Sequence, residues 1–241
     1  MEINMLFSLL SGNDLKMSLI LILLSFPIII LALSAHEAAH GYVAYKLGDR
    51  TAYNLGRITL NPLKHLDLMG TIWMLVFGYG WAKPVPINAR NFKNPKYGMA
   101  FTAIAGPAAN LLLGIIGAIG YAVTEVIVEN NIVSILQNEM LVSIVSILLS
   151  FLYMLGVMNF TFMVFNLIPV PPFDGSRFFG MFLPTKIYFQ IMRYERYILI
   201  GVLALTFLSS RFFNISPASW VADKLFGLIE NAICSLLNPT F

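Results

Sequence analysis

The stretch Ala32-Leu33-Ser34-Ala35-His36-Glu37-Ala38-Ala39-His40-Gly41-Tyr42-Val43-Ala44 places two histidines and a glutamate inside a run of mostly apolar and small residues. The run extends from Met17 to Leu47 and is broken by Pro27 and by the polar group His36 to His40. As a helix rising 1.5 Å per residue it reaches about 45 Å, more than the ~30 Å hydrocarbon core of a bilayer. We read it as one helix, kinked near Pro27, that spans a membrane and continues past one face. Two shorter helices meeting at Pro27 would fit the same pattern. Charged or ionisable groups inside such a span are costly, and they usually mark a working site.

Composition agrees with lipid as the solvent. Hydrophobic residues make up 58% of the 241 residues and charged residues 11%, against about 25% charge in ordinary soluble chains. Cys234 is the single cysteine, which excludes an intramolecular disulfide and a cysteine-rich metal cage. Met1 to Lys16 lacks the basic start and small-residue cleavage site of a signal peptide, so the first apolar segment is expected to stay in the protein.

Further along the chain, Gly48 to Asn61 is polar around Asn54-Leu55-Gly56 and reads as a small β-hairpin at the membrane edge. Leu66 to Tyr79 is apolar but short, suiting a re-entrant or tilted element. Trp81 to Pro95 reads as a loop. Tyr97 to Val128, interrupted by Gly106-Pro107, and Met140 to Ile168 read as membrane helices. The second ends in the turn Pro169 to Pro172, and Phe173 to Pro184 follows as a short connection. Tyr197 to Phe213 reads as a further span, and Trp220 to Leu237 as a surface or partly inserted helix. The expected fold is an all-α polytopic membrane protein. It would have five to six membrane helices or re-entrant segments and the small hairpin at its cytoplasmic edge. We treat residues 1–241 as one domain, with a core over 17–184 and C-terminal helices over 193–237.

Charge placement orients this map. Of the 15 Lys and Arg residues, eight lie between Lys46 and Lys96 and four between Arg177 and Arg196. The connection from Val128 to Glu139 carries acids instead. By the positive-inside rule both basic segments face the cytoplasm and the 128–139 loop faces outward. Two spans join these faces, so the parity agrees. The same rule accounts for the net charge of +3 without a nucleic-acid partner.

His36 and His40 are four residues apart, so their imidazoles project from one helix face a turn apart. That spacing lets two nitrogens bind one Zn²⁺ at about 2.0–2.1 Å. Glu37 points roughly 100° away from His36, close enough to act on water at the metal without ligating it. This is the His-Glu-x-x-His logic of metalloproteases. A catalytic zinc wants three protein ligands and one open position. Asp174 is the best third ligand. It follows the chain break at Pro169, Pro171 and Pro172 and precedes Gly175, which would permit an unusual backbone angle beside it. A helix cap is the plain alternative for an Asp in this setting. Non-haem iron would also accept two histidines and a carboxylate.

Taken together, His36-Glu37-Ala38-Ala39-His40 in a first apolar helix and Asn166-Leu167-Ile168-Pro169…Phe173-Asp174-Gly175 resemble the site-2 protease family of intramembrane zinc metalloproteases. The segments Asn61-Pro62-Leu63-Lys64-His65-Leu66-Asp67, Gly80-Trp81-Ala82-Lys83-Pro84-Val85-Pro86 and Ala105-Gly106-Pro107-Ala108-Ala109-Asn110 resemble its compact prokaryotic branch, which lacks PDZ and CBS domains. The likeness runs from about residue 30 to 180. Phe173 stands where many relatives carry leucine, an apolar exchange. The resemblance implies that His36, His40 and Asp174 bind Zn²⁺ and that Glu37 is the general base. It also suggests that Asn166 supports the substrate carbonyl or the developing oxyanion, a role worth about 3–4 kcal/mol. It implies a multi-pass prokaryotic cell-membrane protein whose active site opens towards the cytoplasm. The reaction would be regulated intramembrane proteolysis, cutting single-span membrane proteins such as anti-sigma factors or signal-peptide remnants. His65 is expected to support the metal site from behind or to stabilise the neighbourhood of Asp67, and Gly106-Pro107 with Asn110 to kink a helix and pack it near the metal. Two other classes compete: a metal transporter using the same three ligands for transit, and a non-catalytic metal-binding scaffold. A transporter usually offers several polar sites or internal repeats, and a structural metal needs no base at Glu37.

Overall fold

The computed structural model describes residues 15–70, 82–195, 197, 198, 200–202 and 217–237. Leu15–Lys46 forms a single helix, α1, with Pro27 inside it, so the two-helix alternative does not hold. Helix α2, Thr51–Asn54, is one turn. Helix α3, Pro95–Asn130, contains Pro107 and starts behind Asn94, whose side chain accepts from the Tyr97 N–H as an N-cap. A short α4, Ile132–Leu136, leads to α5, Glu139–Asn166. Then come α6, Asp174–Gly180, α7, Thr185–Arg193, and α8, Pro217–Leu237. Three of these, α1 over Ile22–Lys46, α3 and α5, are long and apolar enough to cross a membrane. Large apolar side chains on α3 and α5 lie open, among them Leu112, Ile116, Ile144 and Leu148. Lipid is the natural cover for such faces. The expected elements at 66–79 and 197–213 fall largely outside the described residues.

The helices meet through small residues. A Cβ at Gly117 of α3 would run into the backbone N of Gly156 on α5, so the two backbones touch where neither carries a side chain. Below this contact Phe160 fills the groove with Ala118. Ala222 and Phe226, one turn apart on α8, close the cluster from the third side. The mixed polarity of 220–237 thus resolves into one buried face and one open face, the latter carrying Trp220, Leu228 and Leu236.

The hairpin expected over 48–61 is corrected. Thr51–Asn54 is helical, and the chain turns back at Gly56 with φ 62°. Among the described residues the one β pairing is an isolated bridge between Leu66 and Ala82. The cause is Asp49. Its carboxylate, fully buried, accepts the Thr51 N–H at 3.0 Å and the Thr51 hydroxyl at 2.5 Å. These local bonds start a helical turn where the polar stretch around Asn54-Leu55-Gly56 suggested a hairpin.

The same carboxylate also accepts from the Asn88 N–H and the Asn91 side chain, both at 2.7 Å, so it pins the 88–91 loop to the end of α1. Burial alone would raise its pKa. The donors of Thr51, Asn88 and Asn91 outweigh that and hold it below the ordinary value. Its stabilisation is therefore complete above the unfolded pKa near 4 and is lost as pH falls through the lower folded value. Asp49→Asn turns one acceptor oxygen into a donor facing donors, and should cost about 2 kcal/mol. Thermal unfolding in detergent at pH 7 checks this, and the gap to wild type should narrow as the pH drops below about 4.

Candidate metal centre

His36 and His40 stand one turn apart on α1, as their spacing requires, and both are buried. Their Nε2 atoms are 3.0 Å apart. Asp174, at the start of α6, sends Oδ2 to within 3.0 Å of His36 Nε2 and 3.3 Å of His40 Nε2. Residues 134 positions apart in the chain, His40 and Asp174, thus converge on one point. The Asp174 side chain turns to the histidines instead of capping its own helix, where the position before it makes no side-chain cap bond.

The far sides of the imidazoles identify their tautomers. His36 Nδ1 lies 2.6 Å from Asn110 Oδ1, and His40 Nδ1 lies 2.7 Å from the Thr102 carbonyl. Both partners are acceptors, so both Nδ1 atoms carry the proton. That leaves two Nε2 lone pairs and a carboxylate oxygen facing one another. Three acceptors gathered in a buried place repel unless a cation sits among them. Tetrahedral zinc with ~2.05 Å bonds puts its ligand atoms about 3.3 Å apart. The observed 3.0–3.3 Å separations come within a few tenths of an ångström of that. Two imidazoles and one carboxylate are a donor set that zinc takes readily, and the three residues fit the ion.

Each ring is held from behind by α3. Thr102, Gly106 and Asn110 occupy successive turns of one face of that helix. The outer two receive the Nδ1–H groups. Gly106 lies between them, and a Cβ there would sit 2.5 Å from each Nε2. Pro107 has no N–H to give to the preceding turn, so the helix is loosened at the level where it meets the rings. Asn110 is itself fixed, since its Nδ2 donates to Asn159 Oδ1 at 3.0 Å, and Asn159 Nδ2 donates to the Leu155 carbonyl. Such outer partners set ring orientation and ligand basicity.

Glu37 points aside from the ligand line. Its Oε2 accepts the Val85 N–H at 2.7 Å. Asn166 stays on its own helix, where Nδ2 donates to the Phe162 carbonyl at 2.9 Å. His65 is buried elsewhere and bonds the Thr59 carbonyl through Nε2 at 2.7 Å, tying the 59–65 turn together. Gly175 does not adopt an unusual angle. It is the first turn of α6, and a Cβ there would collide with the Leu167 carbonyl. Its small size lets α6 lie directly against the end of α5, and that contact aims Asp174.

Sequence reasoning overlooked Asn159, the Thr102 carbonyl and the Val85 N–H. Asn159 did carry a signal, as a lone amide in the apolar run from Leu155 to Phe165 of a membrane helix. The other two are backbone groups, to which side-chain identity gives no clue.

Comparison with known proteins adds the family. The model of peptidase family M50 matches residues 24–208. The chain is 40% identical over 177 residues to a Bacillus subtilis (strain 168) protein named "Putative zinc metalloprotease YwhC", covering 73% of this chain and 77% of that one. It is 26% identical over 151 residues to "Putative zinc metalloprotease Rip2" of Mycolicibacterium smegmatis (strain ATCC 700084 / mc(2)155), covering 61% of this chain and 52% of the relative. No solved structure matches it significantly.

Proposed function

The chain belongs to peptidase family M50, and from that premise and the geometry of the site we propose that it is an intramembrane zinc endopeptidase. It hydrolyses peptide bonds within or beside the spans of other membrane proteins. The observation that carries this reading is the meeting of His36 Nε2, His40 Nε2 and Asp174 Oδ2 at 3.0–3.3 Å on an apolar helix. In this reading the three residues hold zinc, which when bound supplies a Lewis acid that polarises a carbonyl and acidifies water.

Protein groups do the remaining work. Glu37 takes the proton of the attacking water and returns it to the leaving amine. Its Oε2 is engaged by Val85, so its other oxygen takes that part. Asn110 and the Thr102 carbonyl keep the Nδ1 protons in place, which keeps the Nε2 lone pairs turned to the metal. Asn166 spends one amide N–H on Phe162; an amide has two, and the second supports the oxyanion. Beside the motif, Ala35, Ala38 and Ala39 of α1 face Ile58 to Leu60 across a shallow apolar trough. Its character suits an apolar segment lifted from a helix, which must unwind before its carbonyls can be attacked. Single-span proteins, anti-sigma factors or signal-peptide remnants among them, are the substrate class. By the positive-inside rule, the basic segments 46–96 and 177–196 support a site that opens towards the cytoplasm.

The test uses the full chain reconstituted with tagged single-span proteins. One zinc per chain is expected, with cleavage falling below detection after chelation and returning on zinc addition. Cleavage that survives removal of all metal would end the proposal. So would uptake of zinc into the vesicles without any cleavage.

A further inference from the structure

Arg57 is buried, 8% exposed, in a chain where charge is scarce. Its guanidinium is directed at backbone. Nη2 donates to the Lys83 carbonyl at 2.7 Å and to the Pro84 carbonyl at 3.3 Å. The second of these matters most, because the Pro84 carbonyl and the Val85 N–H belong to one peptide unit. That N–H is the donor that Glu37 Oε2 accepts at 2.7 Å. A continuous path therefore runs from a cation, through one amide plane, to the carboxylate next to His36.

The surrounding chain makes this path stiff. Pro84 and Pro86 flank Val85, which restricts φ at 84 and holds 85 extended. The Lys83 N–H donates to the His65 carbonyl at 2.7 Å, and His65 in turn bonds the Thr59 carbonyl. Residues 57–65 and 83–85 are thus laced together with Arg57 at one end. Gly41, one residue past the motif, receives both segments: a Cβ there would lie 3.3 Å from Ala52, Ile58 and Val85. The Val85 N–H consequently meets α1 at the level of Glu37. A cationic donor on the carbonyl also polarises the amide and strengthens its N–H as a donor.

We propose that Arg57 is a positioning residue for the general base, setting through the Pro84–Val85 peptide the direction in which the Glu37 carboxylate is held. This rests on the reading of Glu37 as the base. Arg57 is not one of the residues that would hold the metal; it acts by fixing one carboxylate oxygen and so leaving the other to act on water.

The test measures kcat, KM, zinc content and thermal unfolding for full-length Arg57→Gln and Arg57→Lys, with Glu37→Gln alongside. Removing an outer partner of this kind typically costs 10–100-fold. Arg57→Gln should therefore lose about that much in kcat while zinc stays bound. KM should stay within about twofold, since ground-state binding is untouched. Arg57→Lys keeps a cation but puts a compact ammonium in place of the planar guanidinium, and its kcat should fall less, with KM again unchanged. If the Gln variant fails to fold, the Lys variant decides by the same split. A folded, zinc-loaded variant with wild-type kcat would overturn the proposal. A loss carried by KM would too, as it would mean damage to the substrate trough. Activity surviving in Glu37→Gln would instead remove the base itself, and is read separately.

Discussion

Glu37→Gln should yield a chain that inserts, folds and binds zinc, yet turns over its substrate roughly 10²- to 10⁴-fold more slowly, the usual worth of a positioned general base. The structure explains why the loss should be confined to chemistry. Glutamine is the same size as glutamate, and its amide oxygen can still accept the Val85 N–H that holds the carboxylate at 2.7 Å. The contacts that position His36 and His40 run through Asn110 and the Thr102 carbonyl and do not involve Glu37. Zinc content and melting temperature should therefore match wild type. What disappears is an oxygen able to take a proton and hand it on. Single-turnover cleavage of a reconstituted single-span substrate, beside metal analysis of the same preparation, measures both halves. Turnover near wild type would remove Glu37 from the mechanism and leave the role of base to another group. A loss accompanied by missing zinc would mean that Glu37 helps to build the metal site.

The parts of this site differ in how plainly the sequence announced them, for physical reasons. A helix repeats every 3.6 residues, so His36 and His40 were bound to share a face once Met17 to Leu47 was read as helical. Asp174 was harder. Its approach depends on a proline turn and on the absence of a Cβ at Gly175, which permits contact with the Leu167 carbonyl. The sequence reading gave that glycine the wrong task, a special backbone angle, because side-chain volume matters only once a neighbour is known. The expected hairpin failed for a related reason. A polar stretch with a turn at Asn54-Leu55-Gly56 describes a hairpin only when nothing local competes, and Asp49 competes with bonds to Thr51 and to the 88–91 loop. The partners of the imidazoles were least legible. A carbonyl such as that of Thr102 belongs to every residue type, and an amide such as Asn159 shows its purpose only when Asn110 is beside it.

Gly106→Ala should lower zinc affinity by about 100-fold, at the upper end of what outer-shell changes cost, although residue 106 would supply no ligand atom. The added Cβ would sit 2.5 Å from the Nε2 atoms of both His36 and His40 and 2.6 Å from His36 Cε1. Carbon and nitrogen in ordinary contact need roughly 3.5 Å or more, so the rings must retreat. Elsewhere the end of a side chain can swing away at small cost. Here it cannot, because each ring is tied through Nδ1 to the same helix that carries the intruding methyl. His36 is held to Asn110 four residues after Gly106, and His40 to the Thr102 carbonyl four residues before it. Moving either ring breaks its bond, frees the tautomer and turns its lone pair from the point shared with Asp174. The helix itself would gain, since alanine favours helix over glycine by about 1 kcal/mol. Lost zinc should therefore come without lost helical structure. Gly227→Ala, on α8 with no atom within 4 Å of the added Cβ, is the matched control and should bind zinc as wild type does. Competition with a chelating dye measures the affinities of all three chains. Wild-type affinity in Gly106→Ala would mean that the imidazoles do not meet the metal through the nitrogens that face Gly106.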